Sequence, residues 1–275
     1  MEGVGDYAFL RELGRGAHGR VYLAKTPGRL RVDDDQVAVK VLSGPASDDA
    51  FDAVLAELSA VDTLRSERVV RVYDVGLDAA TLFYSMELHP WGSLAAPMQQ
   101  LSRPARLQAV ARAARAAHEL HEAGIVHRAV SPSNVLLRRT GAVLAEPGVG
   151  HLVTQGRTIA GLGRGAGGVS LELVDPRVMR GESAGRSSDI WSLGVTLHLA
   201  LAGCGLFPAL VSADPLLAVR VYLRSRPEPD ESLSEAERAV VVRAVQPDPA
   251  RRYRTAAELA DDVERVARIS PVGAP

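Results

Sequence analysis

The chain has 275 residues, longer than most single domains and short for two independent ones. Its net charge of −1 and pI of about 6.7 give no reason to expect nucleic acid or an anionic membrane surface as a partner. A single cysteine, Cys204, excludes an internal disulfide framework; set in an apolar run of helical character, it is expected as a buried structural thiol.

In chain order, the first ninety residues read mainly as strands with one helix. Leu13-Gly14-Arg15-Gly16-Ala17-His18-Gly19-Arg20-Val21-Tyr22 places a G-x-G-x-x-G turn before the strand-like Val21 to Ala24. Val37 to Leu42 is a short apolar run with β-branched residues, and Val69 to Val75 and Thr81 to Leu88 are similar. Between them Asp48 to Leu64 has helical periodicity at Phe51, Val54, Leu55, Leu58 and Val61, with Ser47 or Asp48 available as N-cap. After Pro90-Trp91-Gly92 the character turns helical. Arg103 to Ala123 is Ala-rich and amphipathic, and Ser188 to Ala202 reads as a mostly apolar, buried helix. Leu216–Leu223, Ser234–Val245 and Thr255–Ala267 are shorter amphipathic helices, the last two with Glu237 and Glu258 as capping-box partners. Gly161 to Gly168 is glycine-rich and flexible by composition. The whole is an α+β pattern.

The chemistry-bearing residues are sparse and specific. Of 32 basic residues only Lys25 and Lys40 are lysine, so a lysine on the apolar strand Val37-Ala38-Val39-Lys40-Val41-Leu42 invites a chemical reason. A Rossmann site would place a helix after the glycines; here a strand-like run follows instead. Further on come His127-Arg128-Ala129-Val130-Ser131-Pro132-Ser133-Asn134 and, twelve residues later, Glu146-Pro147-Gly148. Asp175-Pro176-Arg177, Asp189-Ile190-Trp191-Ser192-Leu193-Gly194 and Arg252 complete the series.

Together these resemble the eukaryotic-like Ser/Thr protein kinases of bacteria, whose catalytic loop reads His-Arg-Asp-x-Lys-Pro-x-Asn and whose metal-binding motif reads Asp-Phe-Gly. The resemblance covers about residues 7 to 268. It implies the two-lobed protein-kinase-like fold over residues 1–270: a β-rich N-lobe to about residue 88 with one regulatory helix, a hinge at about 87–92, and a helical C-lobe at about 93–270, followed by a linker-like tail at 271–275.

It also implies site residues. Leu13, Gly14, Gly16 and Gly19 would cover a nucleotide, and Lys40 would hold its α- and β-phosphates while pairing with Glu57. Met86 would be the gatekeeper, the main chain of Glu87 and His89 would meet the adenine edge, and Val21, Ala38 and Leu136 would sandwich the ring. Asn134 and Glu146 would be the metal ligands. The cofactor implied is ATP, with Mg²⁺ weakened by the longer arm of Glu146.

The departures decide the expected activity. The proton-accepting Asp reads Ala129, the charge-stabilising Lys reads Ser131, and the metal-binding Asp reads Glu146. No catalytic residue is therefore expected. The glutamate of the family's Ala-Pro-Glu motif reads Arg177, so two like charges, Arg177 and Arg252, should each need another partner or solvent. His127, Arg128 and Asp189 are expected as scaffold, with Asp189 capping the catalytic-loop backbone. Only Thr154 and Thr158 are threonines in the activation segment, so regulation by phosphorylation there is not expected.

The expected function is a pseudokinase that binds ATP without efficient phosphotransfer and serves as a signalling scaffold or allosteric partner. The alternatives are a weakly active or atypical ATP-dependent transferase, and a nucleotide-free interaction module. A protein partner is expected, an active kinase or a signalling or biosynthetic protein, with a homodimer through the N-lobe also consistent; no nucleic acid and no membrane contact are expected. No apolar run reaches the ~18 residues that cross a bilayer, so the location expected is cytoplasmic, or the cytoplasmic face of a larger membrane protein.

Overall fold

A computed structural model describes residues 3–16, 19–146, 171–208, 210 and 214–269. The chain forms two compact units. The first holds residues up to 65 and 70–89, and the second holds 66–69, 90–146 and the described residues from 171 onward. Pro147, Thr154, Thr158, the run Gly161 to Gly168 and the tail from Ser270 lie outside the described residues.

Among the described residues the first unit is a six-stranded antiparallel sheet with one helix. Its strands are β1 (Gly3–Val4), β2 (Tyr7–Gly16), β3 (Gly19–Lys25), β4 (Gln36–Leu42), β5 (Val72–Asp78) and β6 (Thr81–Met86), in the order β1-β2-β3-β4-β6-β5. The alternation of β4 decides what each face carries, because successive side chains point to opposite sides. Val37 and Val39 face a core with Val4, Tyr7, Ala24 and Phe83. The register pairs Val21 with Lys40, Leu23 with Ala38, Ala38 with Met86 and Lys40 with Tyr84, so these residues share the other face. Helix α1 (Asp48–Thr63) begins at Ser47, whose side chain accepts from the Ala50 N–H, and buries Val54, Leu58 and Val61. That spacing of four and three is one stripe of a helix.

The described residues of the second unit are helical apart from a small hairpin, β7 (Val135–Arg138) and β8 (Gly141–Leu144). Its helices are α2 (Arg103–Glu122), α3 (Pro176–Met179), α4 (Arg186–Ala202), α5 (Pro215–Tyr222), α6 (Glu235–Ala244) and α7 (Ala256–Ile269). Helix α2 starts on Ser102, which caps the Ala105 N–H, and its alanines from Ala109 to Ala117 are buried. Arg115 ties it to α7 through Glu264 at 3.1 Å and Asp261 at 2.5 Å. Helix α4 is buried nearly throughout and crosses α6 closely: a Cβ on Gly194 would lie 2.5 Å from the Ala244 Cβ. The capping box at α6 is formed as expected, with the Ser234 N–H donating to Glu237 and the Glu237 N–H to Ser234. At α7 the Glu258 N–H donates to Thr255, while the Glu258 carboxylate accepts from Arg254 instead.

Cys204 departs from expectation. Gly203 ends α4 in the left-handed region at φ 71°, a conformation that glycine adopts without a Cβ penalty. The chain therefore leaves the helix before residue 204, and the thiol is exposed beside Asp230 at 3.5 Å. No described helix is long and apolar enough to cross a membrane.

Candidate functional site

The anticipated nucleotide residues fall in both units. On the sheet of the first, Val21, Ala38, Lys40 and Met86 share one face. Lys40 is only 2% exposed, an unusual burial for a lysine. The end of β2 comes close to it: a Cβ added to Gly16 would lie 3.4 Å from the Lys40 ammonium. A Cβ on Gly14 would meet nothing within 4 Å, so that glycine lines open space. Gly19, at φ 147°, leaves no room for a side chain, since its Cβ would sit 2.0 Å from the Val41 carbonyl oxygen. Leu13, within β2, is 36% exposed.

Beyond β6 the Glu87 N–H donates to the Arg71 carbonyl at 2.9 Å. The His89 ring is buried, with its Nε2 3.7 Å from the Glu87 carboxylate. One expected contact is not formed. Glu57 sits half-buried at the margin of the α1 stripe. Lys40 has other contacts, but no ion pair with Glu57.

In the second unit the segment 127–134 is held from below by Asp189 of α4. Its carboxylate accepts from the His127 and Arg128 N–H groups, each at 2.8 Å, and lies 2.8 Å from His121 Nε2. Asp189 is fully buried, so these donors offset the cost of removing its charge from water. His127 is buried too. Its Nε2 donates to the Ala145 carbonyl at 3.0 Å and its Nδ1 accepts from the Ala129 N–H at 3.2 Å, which fixes one neutral tautomer. Burial pushes its pKa below the ordinary 6.5, against the opposing pull of Asp189. The expected capping by Asp189 and core role of His127 are both present.

Asn134 completes the loop. Its amide NH₂ donates to the Ala129 carbonyl at 2.8 Å, and its own carbonyl accepts from the Ala145 N–H at 2.8 Å. Arg128 at φ 62° and Glu146 at φ 61° are non-glycine residues held in the left-handed region. Such a conformation costs on the order of 1–2 kcal/mol per residue and persists only where the surroundings impose it. The backbone of the loop is thus fully organised around position 129. The side chain there is a methyl group. Ser131 begins the short turn Pro132–Asn134 without capping it through its hydroxyl. Leu136, on β7, is half-buried in this second unit.

Asn134 and Glu146 supply hard oxygen donors of the kind Mg²⁺ takes. Among the described residues no group of three His, Cys, Asp or Glu could hold a metal, so a cation at this pair would need ligand oxygens as well.

The segment Asp175-Pro176-Arg177 resolves the anticipated charge conflict by exchange. Arg252 is buried and pairs with Asp175, Nη1 to Oδ2 at 2.5 Å and Nη2 to Oδ1 at 3.3 Å. It also donates to the Gln246 carbonyl at 2.7 Å and to the Ser187 carbonyl at 2.8 Å. Arg177 turns outward and pairs with Glu182. Each arginine has found a different acid, as like charges require.

Comparison with known proteins places this geometry. The model of the protein kinase domain matches residues 7–263. The chain belongs to the protein kinase domain family. Serine/threonine-protein kinase PknB of Mycobacterium tuberculosis is 30% identical over 284 aligned residues, covering 96% of this chain and 43% of that protein. PknK of the same organism is 31% identical, with 94% and 23% covered. The chain thus spans less than half the length of these curated relatives. The crystal structure of the M. tuberculosis PknI kinase domain superposes with a TM-score of 0.70 at 24% identity, covering 97% of each chain, which shows the shared fold. The kinase domain seen here is thus a β-sheet unit followed by a helical one, and it sits among relatives of bacterial Ser/Thr kinases.

Sequence reading did not anticipate the β7–β8 hairpin or Asp175 as the partner of Arg252. The first had a signal in the two short apolar runs, Val135-Leu136-Leu137 and Ala142-Val143-Leu144, on either side of Thr140-Gly141. The second had none, because the pairing depends on which end of a short turn points inward.

Proposed function

We propose that this kinase domain binds ATP through the sheet face that carries Lys40 but does not transfer phosphate efficiently. It acts instead as a signalling scaffold or allosteric partner. The observation that carries the reading is Ala129. Its N–H and carbonyl are both engaged, by His127 and Asn134, in a formed loop, yet it offers no lone pair to orient or deprotonate a hydroxyl. A positioned base contributes about 10²–10⁴-fold, and Ser131 cannot place a cation on a migrating phosphoryl group. Asn134 and Glu146 would hold Mg²⁺ weakly. ATP would favour one arrangement of the domain that a protein partner reads, a population shift driven by differential binding.

Calorimetry with a non-hydrolysable ATP analogue, with and without Mg²⁺, on wild type and Lys40→Ala tests this. Binding weakened at least about tenfold by Lys40→Ala, without phosphate incorporated into the domain or added protein, is the expected result. Absence of binding in every condition refutes the nucleotide reading.

A second reading, slow phosphotransfer, draws on the retained Asn134 and on the carboxylate of Glu146. Mass spectrometry separates the two: a phosphate adduct that disappears in Lys40→Met would establish turnover.

A further inference from the structure

Arginine is spread over most of this chain, yet α1 carries five acidic residues and no basic one. Asp48, Asp49, Asp52 and Asp62 are exposed, and among the described residues none of them enters an ion pair. Leu55, 40% exposed, stands in the middle of this face. Ala56, Ser59 and Ala60 continue it with small exposed side chains, which let another backbone approach.

The second unit carries a surface of opposite charge. Two adjoining hollows of 350 and 480 Å³ run along α6 and share Val242 and Gln246. Pro229, Pro247 and Arg226 line the first, and Arg251 lines the second. Val242 is 40% exposed. Arg243 is already committed to Glu258 at 3.7 Å and Asp262 at 3.6 Å and lies 4.0 Å over the Tyr253 ring. Arg226 and Arg251 are exposed and have no ion pair among the described residues.

We propose that the acidic face of α1 in one copy docks in the α6 groove of a second copy. Asp49 and Asp52 meet Arg226 and Arg251, and Leu55 covers Val242 and the prolines, an amphipathic helix laid in an apolar groove. The occupant is a second copy because the two surfaces of opposite charge lie on the same chain, and among the described residues Asp49, Asp52, Arg226 and Arg251 enter no ion pair. The contact joins two different patches, so it is heterologous.

Sedimentation equilibrium on the 275-residue chain tests this. Wild type associates with rising concentration at low salt, and the association weakens at high salt as exposed charges are screened. Asp49→Arg with Asp52→Arg, and separately Arg226→Glu with Arg251→Glu, each weaken association at least about tenfold by bringing like charges together. Mixing the two variants restores it, because the intact groove of the first meets the intact helix of the second. Melting curves identify a variant that fails to fold, in which case the other variant and the salt titration decide. A wild type that stays monomeric overturns the proposal, as does association indifferent to both reversals. Variants that remain apart on mixing overturn the heterologous geometry.

Discussion

The Asp175–Arg252 pair gives the sharpest energetic prediction. Both residues are nearly without exposure, at 3% and 2%. Removing one member of a buried pair costs about 3–5 kcal/mol, because the remaining charge loses its compensation. Asp175 has a further task, accepting from the Arg177 N–H at 2.9 Å as the N-cap of α3, a cap whose loss costs about 1 kcal/mol. Asp175→Asn isolates the charge, since an amide keeps an acceptor for the cap. Arg252 retains its bonds to Gln246 and Ser187, so the lower half of the range applies, about 3–4 kcal/mol. At about 2–4 °C per kcal/mol for a unit of this size, melting should fall by roughly 6–16 °C. Arg177→Ala breaks only an exposed pair with Glu182 and should cost less than about 1 kcal/mol. Thermal unfolding followed by circular dichroism reads both. Asp175→Asn within about 1 kcal/mol of wild type would refute the exchange, as would restoration of its stability by adding Arg177→Glu.

Asp189→Ala strands the N–H groups of His127 and Arg128. At about 1–3 kcal/mol for each buried unsatisfied donor, it should melt the domain lower by several degrees; an unchanged melting temperature would contradict the capping role. Gly194→Ala forces a methyl to within 2.5 Å of the Ala244 Cβ and should cost about 1–3 kcal/mol through overpacking, read by denaturant unfolding at unchanged slope. The lowered pKa of His127 makes stability pH-dependent. The unfolded imidazole takes a proton near the ordinary 6.5, the folded one only at lower pH. Stability from this group is therefore complete above 6.5 and declines as pH falls from there toward the folded value; a melting temperature rising on acidification through that window would oppose it. Ala129→Asp together with Ser131→Lys should raise phosphate incorporation at least about 10²-fold over wild type, assayed by radiolabel transfer from ATP.

Much of this architecture was legible because its signals are local. The alternation of β4 announces a strand with Lys40 on the face opposite Val37 and Val39, and the Ser234–Glu237 spacing announces where α6 begins. The degenerate loop was legible for the same reason: a residue type at a fixed place either carries a lone pair or does not. What escaped depended on distant or directional facts. Cys204 looked helical until Gly203 turned the chain. Glu57 sits at the right place on the sequence, yet its meeting with Lys40 depends on how α1 is seated, which Val54, Leu58 and Val61 decide. Asp175 supplies Arg252 with its acid because the start of α3, and not its second residue, faces the interior.

The two-faced sheet also sets which changes in length the gene can tolerate. Residues 26–35 join β3 to β4 at the surface, closed by the Thr26 N–H donating to the Asp35 carbonyl at 3.0 Å. Codons added there lengthen a connection and leave every side chain on its own side. One codon added or lost within 36–42 shifts the register by a single residue, and every side chain changes face. The ammonium of Lys40 would then be driven toward Tyr7, Ala24 and Phe83. Among natural variants, length differences should gather in the connection and spare the strand beside it.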